Sequence, residues 1–289
     1  EKKKMIWSIT SKEEMENYGI SSVFKYYREA LGKDNVKLAV VDENDKLDFL
    51  QKEDVALLRT ASESLIKTIR AKGVKTTAED FSKYELVKDK EKVFRFLCSC
   101  GIRAPKQYQN YLLSLQEGKT YFVKPRYGSD SFGISEKSIC RTPKEVMEQM
   151  KYLKEEFGME SIVEEYIAGS DCTVTCINNQ NKILLCSISI DCDETNGIQT
   201  RDCKVGFKEC CSAMNDDRLM NLAGTIFHYL GLKSHARIDF RKGIDGRYYP
   251  IDINLLPGLG PLDHLSKSLL LCKNMSYIDA LKAVIASAS

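Results

Sequence analysis

Arg237-Ile-Asp239-Phe240, followed across Gly243-Ile-Asp-Gly246 by Tyr248-Tyr-Pro-Ile-Asp252-Ile-Asn254-Leu-Leu-Pro257-Gly258, is the stretch on which the reading of this chain turns. On a strand, Arg237 and Asp239 share one face while Ile238 and Phe240 point to the other. The turn at 243–246 leads into a second strand, where Asp252 and Asn254 share a face between Ile251, Ile253 and Leu255. Two carboxylates and an amide then look into one space. Hard oxygen donors left partly open suit Mg²⁺, which keeps its remaining positions for water and phosphate oxygens. Arg237 beside them would be a fixed cation for an anionic substrate or a developing oxyanion. A surface hairpin with a solvated polar face would read the same way, so the decision passes to the rest of the chain.

The chain has 289 residues, 43% hydrophobic and 29% charged, with a formal net charge of +2. That length can bury a large core and suggests two or three lobes. The charge gives no electrostatic reason to expect nucleic acid or a membrane surface as partner. No apolar run is long enough to span a bilayer and no apolar signal segment is visible, which points to the cytosol. The 11 cysteines form an odd set without a CxxC pair, several in apolar contexts such as Leu184-Leu-Cys186. Reduced thiols acting as small hydrophobes are therefore expected. The three histidines lack ligand spacing, and no structural zinc site is expected.

Upstream, residues 5–9, 36–41 and 54–58 read as strands, and 21–31 and 61–72 as helices, the second closed by Gly73. This is the rhythm of a small, mostly parallel α/β lobe, ending near Tyr84. It lacks a GxGxxG fingerprint, so a dinucleotide is not favoured. A helix over 89–100 carries Lys90 in its first turn, where a solvated lysine is the plain reading. The strand 121–125 ends in Lys124-Pro125 and is followed by Gly128-Ser129-Asp-Ser131-Phe-Gly133. Small residues between two glycines let backbone N–H groups approach an anion, although an ordinary hairpin has the same pattern. Thr142-Pro143 opens a helix that Gly158 ends. A strand over 161–171 leads into a turn, and 172–177 and 182–190 read as antiparallel strands. Residues 191–208, with Arg201, Lys204 and Lys208, read as a long functional loop. Helices over 216–230 and 276–286 complete the pattern.

Taken in order, these pieces resemble the ATP-grasp ligases, most closely the D-alanine–D-alanine ligase branch. The resemblance rests on Asp89-Lys90, Val123-Lys124-Pro125, the glycine-rich turn, Glu164-Glu165-Tyr-Ile167-Ala-Gly-Ser-Asp171, Arg237-Ile-Asp239, and Asp252-Ile-Asn254 before Pro257-Gly258. It covers about residues 87–289. Arg59 and the helix after it also look like the amino-acid ligases that modify ribosomal protein tails. The fold implied is α/β with α+β lobes: an N-terminal parallel lobe (1–86), a small ATP-grasp subdomain (87–167) and a C-terminal subdomain (168–289).

The resemblance also implies roles. Lys90 and Lys124 would hold the phosphates of ATP, with Ser129 and Ser131 in a lid over them. Glu164, Glu165 and Ile167 would line the adenine slot, and Asp171 would accept from the ribose hydroxyls. Asp239, Asp252 and Asn254 would hold two Mg²⁺, with Mn²⁺ as a substitute. Lys204 would reach the γ-phosphate, and Arg237 with backbone donors near Gly258 would meet the oxyanion. The implied activity is amide-bond formation through an acyl phosphate, on small amino-acid or amine substrates, and a homodimer is compatible with it. The branch typically has serine and leucine where this chain has Asp263-His264. Asp263 would repel a substrate carboxylate there, or would cap the helix from Leu265 onward. A ligase acting on a peptide, protein tail or metabolite amine, and a non-catalytic ATP-binding regulator, remain alternatives.

Overall fold

The computed structural model describes residues 4–18, 20–109, 114–128, 131–180, 182–192 and 209–289. Three sheets organise them. The first is parallel, with strands β1 (Ile6–Thr10), β2 (Val36–Val40), β3 (Val55–Leu58) and β4 (Lys75–Thr76) in the order β2-β1-β3-β4. All four residues of β3 are buried, as a strand covered on both faces requires. Helices α1 (Lys12–Tyr18), α2 (Ile20–Leu31) and α3 (Glu63–Ala71) accompany it. Ser62 caps α3 by accepting from Leu65 N, and Gly73 leaves the helix region at φ +68°. The sequence reading missed α1.

Helix α4 (Phe81–Lys88) runs through Tyr84, where the sequence suggested a boundary. Phe81, Tyr84, Leu86 and Val87 all pack into the main core, so the segment is no linker. Helix α5 (Lys90–Ser99) follows at once, capped by Asp89.

The second sheet is antiparallel: β5 (Gln107–Tyr108), β6 (Tyr121–Pro125), β7 (Ile139–Cys140) and β8 (Ser161–Glu165), in the order β5-β8-β6-β7. Helix α6 (Pro143–Phe157) backs it, with Thr142 as N-cap, Pro143 at the first position and Gly158 left-handed at its end. Tyr121, Val123, Cys140, Val146, Leu153 and Val163 form a core of their own between sheet and helix.

The third sheet holds β9 (Gly169–Asn179), β10 (Lys182–Asp191), β11 (Cys210–Met214), β12 (His235–Gly243) and β13 (Tyr248–Asn254), in the order β11-β10-β9-β12-β13. Helices α7 (Asp217–Tyr229), α8 (His264–Lys273) and α9 (Tyr277–Ala286) cover it. The central strand β9 is buried on both faces, but unequally. Cys172, Val174 and Cys176 join the main core with α7, while Thr173 and Thr175 turn buried hydroxyls the other way. Thr175 accepts from Ser268 of α8 at 2.7 Å. Strand β11 was absent from the sequence reading. Among the described cysteines, Cys98, Cys100, Cys140, Cys172, Cys176, Cys186, Cys210, Cys211 and Cys272 are free thiols.

Candidate active site

The β12–β13 register puts Arg237 opposite Asn254 and Asp239 opposite Asp252. Directly opposed residues share a face, so all four side chains are gathered on one side of the hairpin. Ile238 and Ile253, on the other side, are buried in the main core and hold the pair of strands in place. Arg237 forks onto Asp239, with Nε–Oδ1 and Nη2–Oδ2 both 2.9 Å. Thr173 donates to Asp239 Oδ1 at 2.6 Å. Asp239 is thereby neutralised and oriented. Asn254 Oδ1 accepts from Leu256 N at 2.9 Å, which holds the amide in one orientation.

A register shift after Asp239 opposes Phe240 to Pro250, leaving Ile251 bulged. Pro250 is tolerated because β13 is the edge strand. The bulge frees the Ile251 carbonyl, which accepts from Lys124 Nζ at 3.2 Å. Lys124, at the end of β6, is buried and pairs with Glu164 of β8 at 2.8 Å. Gln107 donates to Glu164 Oε1 at 3.1 Å and to Lys90 O at 3.2 Å, tying β5, β8 and α5 together.

Lys90 is the first residue of α5 and donates to Gly128 O at 2.6 Å. Burial lowers its pKa, against the pull of Asp252 upward and with the push of Lys124 downward. An ammonium group that is partly desolvated and near a second one gains from an added anion. Asp89 anchors this helix start, accepting from Glu91 N and taking the guanidinium fork of Arg126 at 2.9 and 2.7 Å. Burial alone would raise the Asp89 pKa, but the Arg126 and backbone hydrogen bonds outweigh it and hold it below the usual range.

Asp171, on β9, faces Arg241 in the register and pairs with it at 2.8 Å. Arg241 Nε also donates to Ile167 O at 2.9 Å. Glu164 and Glu165, at the end of β8, both line the cleft, Glu164 buried and Glu165 exposed, and Ile167 lines it beside them. Ser131 lines the cleft at φ +56°. Ser129 and Lys204 lie outside the described residues. Asp263 occupies the N-cap position of α8 without a side-chain cap bond; its Oδ2 instead accepts from Gly260 N at 2.5 Å. That carboxylate sits where a side chain on Gly258 would start, with Asp263 Cγ 2.6 Å from an ideal Cβ. A side chain at Gly258 would displace that carboxylate.

The second and third sheets flank a cleft open to solvent, about 960 Å³ including the open space at its mouth, with Phe122, Ile134, Phe240 and Ile251 as apolar walls. Lys90, Lys124, Asp239 and Asp252 meet at its polar end. Apolar walls and a charged end suit a molecule with a flat apolar part and an anionic tail. Sequence reasoning missed Arg126, Gln107, Thr173 and Arg241. Only Arg241 left a trace, as the next residue in the alternation Arg237, Asp239, Arg241.

The ATP-grasp domain model matches residues 87–255, more than half of the chain. A protein of Sinorhizobium fredii designated y4sG is 27% identical over 146 residues, 47% of this chain and 43% of that protein. A D-alanine–D-alanine ligase of Saccharophagus degradans is 25% identical over 198 residues, 63% of this chain and 60% of the ligase. The chain thus spans less than two thirds of either relative. Among solved structures, the D-alanine–D-alanine ligase of Bacillus anthracis complexed with ATP superposes with a TM-score of 0.74 at 20% identity, covering 98% of this chain and 97% of that one. At that identity the likeness shows a shared fold. With the domain match laid over α5, the second sheet and the acidic hairpin, the chain belongs to the ATP-grasp family.

Proposed function

We propose that this chain is an ATP-dependent carboxylate–amine ligase, similar to the D-alanine–D-alanine ligases. The observation that carries the reading is the meeting of Asp239, Asp252 and Asn254 on one hairpin face with Lys90 and Lys124 across the cleft. The units 1–86, 87–167 and 168–289 are the proposed domains.

The residues present fit a hard divalent cation. Three oxygen donors share a face, Asp239 and Asn254 are already oriented by Thr173, Arg237 and Leu256, and the wall opposite is cationic. Asp239, Asp252 and Asn254 would hold Mg²⁺. Bound ATP with Mg²⁺ supplies the phosphoryl group that converts a carboxylate oxygen from a poor leaving group into a good one. Lys90 and Lys124 neutralise phosphate charge where water is partly excluded. Arg237, oriented by its fork onto Asp239, would lend its positive charge to the negative charge that grows on the carbonyl oxygen as an amine attacks. The Phe122, Ile134 and Phe240 walls keep water from the activated carboxyl group. Asp171 and Arg241 set the far wall, where a carboxylate oxygen can accept from a sugar hydroxyl.

One observation favours an acceptor other than D-alanine. The Asp263 carboxylate is packed against Gly258 and Gly260, at the end of the hairpin face. A second carboxylate brought there is repelled, so an amine or a peptide N-terminus suits this end better.

The test is phosphate release with ATP and Mg²⁺ against D- and L-amino acids and simple amines, singly and in pairs, with products identified by mass. Amide product with equimolar phosphate is expected. ATP binding without release for any pair would overturn the ligase reading in favour of a nucleotide-binding regulator. A D-alanyl-D-alanine product would leave Asp263 a structural role only.

A further inference from the structure

Away from the hairpin face, three side chains of different chemistry converge between the edge of the large sheet and α8. Glu209 immediately precedes β11 and Cys211 is its second residue, so the two lie on the same side of the strand. His264 is the first residue of α8. Its Nε2 lies 2.7 Å from Glu209 Oε2, and one donor atom from each of Glu209, Cys211 and His264 falls within 4.8 Å of the others. The Glu209 and His264 side chains are only 5% and 9% exposed. Two ionisable groups are thus withheld from water beside a thiol.

We propose that Glu209, Cys211 and His264 form a binding site for a borderline divalent cation, Zn²⁺ being the best match. Ligand atoms at the usual zinc distances of about 2.0–2.3 Å stand roughly 3.3–3.8 Å apart on a tetrahedron. The Glu209 and His264 atoms stand closer than that, at 2.7 Å, and the thiol lies within 4.8 Å of both, so side-chain rotations suffice to seat the ion. The thiolate and imidazole separate this site from the all-oxygen hairpin face: Mg²⁺ takes hard oxygen donors, whereas sulfur and nitrogen select zinc or its neighbours. Seating the ion displaces the thiol proton, Cys–SH and Zn²⁺ giving thiolate-bound zinc and H⁺. Three protein ligands leave the fourth position to water. The ion would fasten β11 to α8, whose first turn follows the Gly258–Asp263 loop. The separation of 55 positions between Glu209 and His264 is why no sequence spacing announces the site. The proposal does not depend on the ligase reading.

The experiment uses the full chain, stripped with a chelator and dialysed. Zn²⁺ is titrated in competition with a chromophoric chelator, and Co²⁺ is added separately to read its thiolate charge-transfer band. One equivalent of each metal, the Co²⁺ band and the release of a proton per zinc are expected. Cys211→Ser should abolish the band, and His264→Gln or Glu209→Gln should weaken zinc at least tenfold. Cys98→Ser and Cys210→Ser, which alter exposed thiols, should leave both unchanged. Circular dichroism identifies any variant that fails to fold, and the remaining two ligand variants then decide. Binding weaker than the chelator in the unaltered chain, or a band that survives Cys211→Ser, would overturn the proposal and leave a His264–Glu209 hydrogen bond only.

Discussion

The large sheet has two neighbours and meets them in opposite ways. Against the parallel sheet the contact is one apolar core: Ile9, Leu58 and Ile69 belong to the same cluster as Val174, Ile226 and Ile238. Polar bonds there close over buried backbone. Thr76 and Ser289 exchange backbone hydrogen bonds at 3.2 and 3.1 Å, Glu79 Oε1 accepts from Lys233 N and Ser234 N, and Arg59 donates to Pro257 O at 2.7 Å. Against the second sheet the contact is polar and lined by a cleft. That sheet keeps a separate core, and Lys124 crosses to the Ile251 carbonyl by a single hydrogen bond. Apolar contact is non-directional and excludes water, so the first seam fixes geometry. The second leaves ammonium and carboxylate groups beside open space, where an anionic ligand changes the balance of charge. Stability and chemistry are therefore expected to separate along these two seams.

Mutations can break that division. Ile226→Ala, in the fully buried apolar seam, is expected to lower unfolding free energy by about 2–5 kcal/mol, read by urea denaturation, with ATP affinity unchanged. A parallel loss of ATP affinity would show that the seams are coupled. Asp252→Asn should lower turnover ~10²–10³-fold, about 2.7–4 kcal/mol in activation free energy, on the scale of losing a key electrostatic group. Its urea midpoint should stay within error of the parent; wild-type turnover would remove Asp252 from the cation set.

The apolar seam should also be the acid-sensitive one. Burial, and after it the charge of Arg59, pushes the His235 pKa down to about 3. Unfolded, the imidazole titrates near its ordinary pKa of about 6.5, so between those values the unfolded chain holds the extra proton. Stability therefore falls as pH drops below about 6.5, by roughly 2 kcal/mol at pH 5 from this group alone. Chemical denaturation across that range should show the slope, and His235→Gln should flatten it; an unchanged slope would assign it to other groups. Lys124→Met, which keeps the apolar stem, should weaken ATP binding at least tenfold, about 1.4 kcal/mol by calorimetry. Undiminished affinity would move the phosphate site elsewhere. Outside both seams, the exposed Lys67–Glu63 pair spans one helical turn. Glu63→Gln should cost less than about 0.5 kcal/mol in thermal unfolding, and a larger loss would mean α3 is coupled to a seam.

Much of the fold was legible because its signals are local. Thr142-Pro143 and Gly158 mark the ends of α6, Ser62 and Gly73 mark α3, and strict alternation marks β12 and β13. Helix α4 was missed because Phe81, Tyr84, Leu86 and Val87 are spread around the helix rather than along one stripe. Strand β11 was missed because its partly exposed Cys210-Cys-Ser-Ala-Met214 run has no apolar alternation.

The amino-acid sequence by itself determined which groups the hairpin presents together, since period-two alternation carries Arg237 with Asp239 and Asp252 with Asn254 whatever surrounds them. Only the tertiary structure decided how their charges are balanced. Arg241 meets Asp171 across 70 positions, Arg126 meets Asp89 across 37, and Lys124 meets Glu164 through the β6–β8 pairing. Such pairings depend on strand register and lobe packing, which shift by two residues without altering any local pattern. Composition and spacing can therefore name the charged residues, while the identity of each partner is a property of the assembled sheets.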